Sequence, residues 1–179
     1  MSDPFATLGI EPRFRIDLRA VEQRHRELSR ALHPDRYAGA SATERRMALG
    51  RAIEVNEAWR VLRDPIRRAE ALVALSGVEV REETLPKPDP DFLMEILEQR
   101  EELADAARRK DRARVDALGA DIRAREEAAL AELGAGLDGA AGDAQKIRAV
   151  LPHLAELKYF RRFLDEVAAI DEDLSEANP

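Results

Sequence analysis

Apolar side chains in this chain of 179 residues recur at steps of three and four, with almost no alternating runs. That spacing gathers one face of a helix into a stripe and predicts an all-α fold. Between Asp17 and His33 the stripe is Leu18, Val21, His25, Leu28 and Leu32. Asp17 is placed to cap that helix, and Pro34 ends it by steering His33 away from helical geometry. A second stripe, Ala48, Ala52, Val55, Trp59 and Leu62, follows Ser41, with Glu44 three residues on in capping-box spacing. These two helices are expected to pair antiparallel through the loop that holds His33. A short helix is expected between Asp3-Pro4 and Gly9, and another between Asp64-Pro65 and Gly77.

Residues 77–90 carry three of the nine prolines and little apolar pattern, the composition of a linker. Three longer helices are expected beyond it, over about 91–109, 111–133 and 143–175. Their inward stripes read Leu93, Ile96, Leu97, Leu103 and Ala107; then Val115, Leu118, Ile122, Ala129 and Leu133; then Ile147, Val150, Leu154, Leu157 and Leu164. Pro152 is expected to kink or restart the last. Two hairpin turns fold the three into a bundle, so the domains are 1–76, a linker 77–90, and a three-helix bundle 91–179.

Composition narrows the classes. Hydrophobic residues make up 45% and charged ones 36%, enough for a packed core. The net charge of −7 divides into +3 over residues 1–76 and −10 over 77–179, as for two modules with different partners. An acidic total argues against nucleic acid as the main ligand. No apolar run approaches the roughly 18 residues of a membrane span, and "MSDPFATLGI" lacks the basic start and apolar core of a signal peptide. A cytoplasmic protein with no membrane contact is expected. The chain has no cysteine, which excludes disulfides, a cysteine zinc site and a thiolate-held cluster. No metal site and no cofactor are expected.

"GAGLDG" at 134–139 matches the G-x-G-x-x-G dinucleotide fingerprint only in letters. The fingerprint works where a strand delivers the glycines to a crossover helix. Here a helix precedes it, so the segment reads as a flexible helix–helix connection. His33 and Asp35 could form an acid–base pair or two metal ligands, but either role needs further groups that the pattern does not supply. Taken alone, His33-Pro34-Asp35 reads as a helix terminator, and the chain shows no convergent catalytic set.

The surroundings of the tripeptide add more. A basic helix with Arg19, Arg24, Arg26 and Arg30 precedes it, and "VNEAWRVLRDP" follows. Short helix, basic helix, His-Pro-Asp loop and a third helix ending in N-x-A-aromatic-x-x-L-x-D-P together resemble the J-domain of the DnaJ co-chaperones. Asn56, Ala58, Trp59, Leu62, Asp64 and Pro65 fall in place. The resemblance implies that His33, Pro34 and Asp35, with Arg24, Arg26 and Arg30, dock on a DnaK-type ATPase and stimulate its ATP hydrolysis. The chain would then be no enzyme itself but an activator of one. The physics suits the role: cations steer toward an acidic partner, Pro34 restricts the backbone before docking, and Asp35 can accept charge-assisted hydrogen bonds. J-domains usually have an aromatic residue where this chain has His25. That histidine reads as half-buried with a hydrogen-bonded ring nitrogen, or as a pH sensor.

Neither a Gly/Phe-rich segment nor a cysteine-repeat region follows the J-domain. Instead "DFLMEILEQREELADA" at 91–106 and "RRFLDEVAAIDEDL" at 161–174 resemble the HscB co-chaperones of iron–sulfur cluster assembly. By that resemblance the bundle binds an IscU-type scaffold, and the J-domain brings it to an HscA- or DnaK-type ATPase. The contact residues it implies are Leu93, Met94, Leu97, Glu98, Arg100 and Glu101, with Phe163 from the last helix. At about 100° per residue, Leu93, Leu97, Glu101, Met94 and Glu98 make a mixed apolar and acidic strip. Phe163 falls about 100° off the Leu157–Leu164 seam, which reads as a partner-facing position or as loose core packing, and the resemblance favours the first. With no thiolate on this chain, the cluster would stay on the scaffold. A J-protein that recruits another client, or an interaction module without chaperone activity, remains an alternative on the sequence.

Overall fold

The computed structural model describes residues 3–78 and 85–176. Among them are seven α-helices, one 3₁₀ turn and no strand. The helices are α1 (Pro4–Leu8), α2 (Leu18–Ala31), α3 (Ala42–Arg63), α4 (Pro65–Leu75), α5 (Pro90–Arg109), α6 (Arg112–Ala140) and α7 (Ala144–Glu176), with the 3₁₀ turn at Pro34–Tyr37. Contacts divide the chain into two compact units. One is Met1–Val80 with Leu137–Ile147, and the other is Arg81–Gly136 with Arg148–Pro179. Of the expected linker 77–90, residues 79–84 lie outside the described residues, as do 177–179 at the end of the expected bundle.

The first unit is built on carboxylate and hydroxyl caps. Asp3 accepts from the Phe5 and Ala6 N–H groups, Asp17 from Arg19 and Ala20, and Asp64 from Ile66 and Arg67. Each cap satisfies donors that the first turn of a helix leaves open. Ser41 and Glu44 complete the capping box of α3, and the two bonds from Ser41 hold the Glu44 carboxyl below its ordinary range. Gly9, at φ 68°, ends α1 in a conformation that suits glycine. Phe5 and Leu8 of α1, Val21 of α2, and Val55, Ala58 and Leu62 of α3 form the core. Ile66, Ala69 and Val73 of α4 are buried as well.

Leu137–Ile147, the tip of the α6–α7 hairpin, belongs to this first unit. The Asp138 carboxylate accepts hydrogen bonds from Phe14 N–H at 2.6 Å and Arg15 N–H at 3.2 Å. Arg68 is buried nearby, donating to the Leu62 carbonyl at 2.6 Å with its guanidinium 4.9 Å from the Phe14 ring centroid. Burial lowers its pKa from the ordinary arginine range, and the carboxylates of Asp64 and Asp138 oppose that shift.

The second unit packs α5, the body of α6 and most of α7. Ile96, Leu103, Val115, Leu118, Ile122, Leu133, Leu154 and Leu157 are all buried, as the stripes predict. One expectation is corrected, and one alternative for Pro152 is removed. The glycine-rich stretch 134–139 is no connection: α6 runs through it to Ala140, and the turn is only 141–143. Ala141 at φ 48° and Gly142 at φ 84° make that turn, and Asp143 caps α7 through the N–H groups of Gln145 and Lys146. The glycine serves packing instead. A Cβ on Gly136 would lie 2.3 Å from Val150 Cγ1, so its absence lets α6 and α7 approach closely. Pro152 does not restart α7, which continues as one helix to Glu176.

Candidate functional site

The His33-Pro34-Asp35 tripeptide sits at the start of the 3₁₀ turn that follows α2. His33 is extended, at φ −61° and ψ 134°, and Pro34 opens the turn, as the restriction on a residue before proline requires. His33 Nδ1 accepts from the Asp35 N–H at 3.3 Å, which places the neutral ring's proton on Nε2. The Asp35 carboxylate lies 3.4 Å from the same nitrogen, and 89% of its side chain is exposed. The tripeptide is therefore both the helix terminator that its sequence implies and an open hydrogen-bonding tip.

Arginines lead up to this tip. On α2, Arg19, Arg26 and Arg30 fall within about 40° of one another, opposite Val21 and Leu28. Arg26 pairs with Glu22 at 2.5 Å and Arg24 with Glu27 at 3.5 Å. Arg30, in the last turn, has no ion-pair partner among the described residues. On the inner side, His25 Nε2 lies 3.0 Å from Asn56 Oδ1 and 3.3 Å from Ser29 Oγ. Its ring stacks on Trp59 at 5.5 Å and 17°. The imidazole thus occupies an aromatic slot as a half-buried, hydrogen-bonded ring. Leu18, expected in the stripe, is 42% exposed at the first turn of α2.

A second surface lies on α5. With Leu93 at 0°, buried Ile96, Leu103 and Ala106 fall between about 220° and 300°. Leu97, Glu101, Met94 and Glu98 fall between about 40° and 140°, on the opposite side. Met94 is 65% and Leu97 60% exposed, so Leu97 belongs to the outer strip and not to the core. Both flanks of α5 are tied down. On one, Arg100 forms two hydrogen bonds to the Glu166 carboxylate of α7. On the other, Arg125 of α6 donates to Gln99 Oε1 at 3.2 Å and Glu95 Oε2 at 3.0 Å, while Gln99 donates to Asp121 at 3.1 Å. The Arg125 guanidinium also lies over Phe160 at 5.2 Å and Phe92 at 5.7 Å.

Phe163 does not join that strip. It is 1% exposed, and the reading of it as a partner-facing side chain is corrected to core. The buried positions of α7 step through Leu154, Leu157, Phe160 and Phe163, whereas Leu164 is only half-buried. Leu93 is half-buried at the edge of the strip, and Arg100 is a bundle tie whose side chain is still 50% exposed. Arg125 escaped the sequence reading although a signal was there. It stands in the slot between Ile122 and Ala129 that the buried stripe of α6 would give to an apolar residue. Among the described residues no cluster of His, Cys, Asp or Glu could hold a metal ion, and no helix is long and apolar enough to cross a membrane.

Comparison with known proteins covers both surfaces. The family model for the HscB C-terminal oligomerisation domain matches residues 88–168. The chain is 40% identical over 173 residues to the co-chaperone protein HscB homolog of Bordetella avium, covering 94% of this chain and 96% of that protein. It is 35% identical over 165 residues to that of Burkholderia multivorans, covering 92% and 91%. The solved structure of chaperone HscB from Vibrio cholerae superposes with a TM-score of 0.82 at 30% identity, covering 97% of this chain and 99% of that one. Human co-chaperone HscB, at 24% identity, shares the fold with a TM-score of 0.83 over 94% and 82% of the two chains. With the His-Pro-Asp tip and the helical bundle on a single chain matched over nearly its whole length, the protein belongs to the HscB family of co-chaperones.

Proposed function

We propose that the chain couples an iron–sulfur scaffold of the IscU type to an ATPase chaperone of the HscA or DnaK type in the cytoplasm, stimulating ATP hydrolysis and promoting cluster transfer. Residues 1–76 act as the J-domain and 91–179 as the scaffold-binding module, with 77–90 connecting them. The observation that carries this reading is the exposed His33-Pro34-Asp35 tip directly behind a helix with three arginines opposite its core. Asp35 accepts hydrogen bonds from a cation on the ATPase, His33 adds a further bond, and Pro34 keeps the tip short of backbone freedom. Arg24, Arg26 and Arg30 steer an acidic surface toward the tip.

On α5, Met94 and Leu97 supply an adaptable apolar centre, and Leu93, Glu98 and Glu101 its edges. Arg100, fixed by Glu166, holds one border of that strip. The cluster is cargo that stays on the scaffold, because this chain offers no thiolate.

Single-turnover ATP hydrolysis by the ATPase chaperone, measured with and without scaffold, tests the assignment. The wild-type chain should accelerate it, with a further increase when scaffold is present. Asp35→Asn should abolish the stimulation. Met94→Ala with Leu97→Ala should remove only the scaffold-dependent part. Full stimulation by Asp35→Asn refutes the role of the tip, and scaffold binding unchanged by the double variant assigns α5 to another client.

A further inference from the structure

The first unit holds a cleft of about 620 Å³, inside the roughly 300–1,000 Å³ of small-molecule sites. Every residue that lines it belongs to that unit, and none belongs to the His-Pro-Asp tip or to the α5 strip. Its apolar wall is Leu72 and Leu75 of α4, Leu137 near the end of α6 and Ile147 near the start of α7. Leu75 is 46% exposed although it is a large apolar residue. No aromatic side chain lines the cleft, so it offers no face on which a base or another flat ligand could stack. Leucine and isoleucine walls suit an aliphatic chain.

The charges at the opening do not cancel. Glu11 and Arg13 pair with each other. Asp138 is engaged by the Phe14 and Arg15 N–H groups, one on each carboxylate oxygen, and it also acts on buried Arg68. Arg15 lines the cleft, is exposed, and has no ion-pair partner among the described residues. One positive charge is left over, which fits a monoanion better than a multiply charged nucleotide. The cleft also has a direction. α4 ends at Leu75, and the last carbonyls of a helix form its negative end. An anionic head is therefore repelled from the α4 end and drawn to the Arg15 guanidinium, which leaves the leucines to the chain.

We propose that this cleft binds a medium-chain aliphatic carboxylate, its head group on Arg15 and its chain along Leu72, Leu75, Leu137 and Ile147. The site is independent of the ATPase and scaffold readings. A ligand seated there touches residues 11–15, α4 and the α6–α7 turn at once, so its binding stabilises the folded first unit.

The test titrates decanoate, kept below its micellar concentration, into the isotope-labelled full chain and follows backbone amide shifts. Saturable shifts should gather at residues 13–15, 72–76 and 137–147 and leave Met94 and Leu97 unmoved. Arg15→Gln keeps the backbone N–H that bonds Asp138, and it should weaken binding about tenfold, the loss of one charge-assisted pair. Leu75→Gln, at an exposed position, should weaken it through the chain. Decyltrimethylammonium, the same chain on a cationic head, should bind about tenfold more weakly than decanoate. Shifts that do not saturate, or that centre on Met94 and Leu97, overturn the proposal. So does equal affinity for the cationic analogue, or decanoate affinity unchanged in both variants. Loss of ATPase stimulation or scaffold binding bears on the proposed function and leaves these outcomes where they stand.

Discussion

Gly136→Ala tests whether the glycines of α6 are packing residues. Alanine should favour a helix interior over glycine by ~0.8–1 kcal/mol, so on local propensity the variant would be more stable. The neighbour reverses the sign. The new Cβ would stand 2.3 Å from Val150 Cγ1 and 3.2 Å from Val150 Cβ, where carbon atoms prefer about 3.5–4.0 Å. Valine in a helix has one χ1 well that holds about 90% of cases, so rotation offers Val150 little relief, and its Cβ at 3.2 Å remains tight afterwards. Part of the clash must therefore be relieved by separating α6 from α7. Overpacking of this kind costs ~1–3 kcal/mol, which offsets the propensity gain and leaves the variant less stable by ~1 kcal/mol. In a chain of this size that lowers the melting temperature by about 2–4 °C, measured by circular dichroism and checked by urea unfolding. Gly139→Ala is the internal control: the same helix, nothing within 4 Å of the added carbon, and an expected gain of ~0.5–1 kcal/mol. Adding Val150→Ala to Gly136→Ala should recover the loss, with a coupling of ~1 kcal/mol in the double-mutant cycle. A Gly136→Ala protein at least as stable as wild type, with no coupling to Val150, would refute the close-approach argument.

Three further outcomes follow from the same geometry. Phe163→Ala should destabilise the chain by ~3–5 kcal/mol in urea unfolding, whereas Met94→Ala should stay within about 0.5 kcal/mol of wild type while weakening scaffold binding in calorimetry. Asp35→Asn should melt at the wild-type temperature and still fail to stimulate the ATPase, because its carboxylate is 89% exposed and caps nothing. Glu44 titrates below the ordinary carboxyl value of 4.5 when folded, so its contribution is present above that value and lost as pH falls through the folded pKa. The stability difference between wild type and Glu44→Ala, followed by urea unfolding, should accordingly be largest near neutrality and shrink as the pH falls below 4.5.

Local rules made much of the first unit legible. Asp3, Asp17, Ser41 and Asp64 cap the helices they precede, and Gly9 ends α1, because a cap needs only a few neighbouring residues to form. The basic helix and the tripeptide were legible for the same reason. What depends on a distant neighbour was not. Asp138 accepts from backbone groups more than 120 residues away. Gly136 reads as a breaker until Val150 is seen beside it.

Phe163 and Met94 separate two uses of the same wheel. Both were placed off a seam, yet one is core and the other surface. α5 is held along both flanks, by Glu166 on one side and Arg125 on the other, with its core residues between them, so the remaining arc can only face outward. α7 has a different situation. Its Tyr159 and Phe160 meet Phe92 of α5, while its Val150, Val167 and Asp171 meet Gly136, Gly119 and Arg112 of α6. Facing two helices, it buries a wide arc, and steps of three from Leu154 to Phe163 shift the buried line by about 60° each time. A seam drawn through Leu157 and Leu164 assumes a single neighbour and ejects Phe163 from a core it fills. The outward strip of α5 is therefore exposed by geometry of confinement, and on the proposed scaffold role binding should follow Met94 and Leu97 without drawing on any side chain of α7 except Glu166, through Arg100.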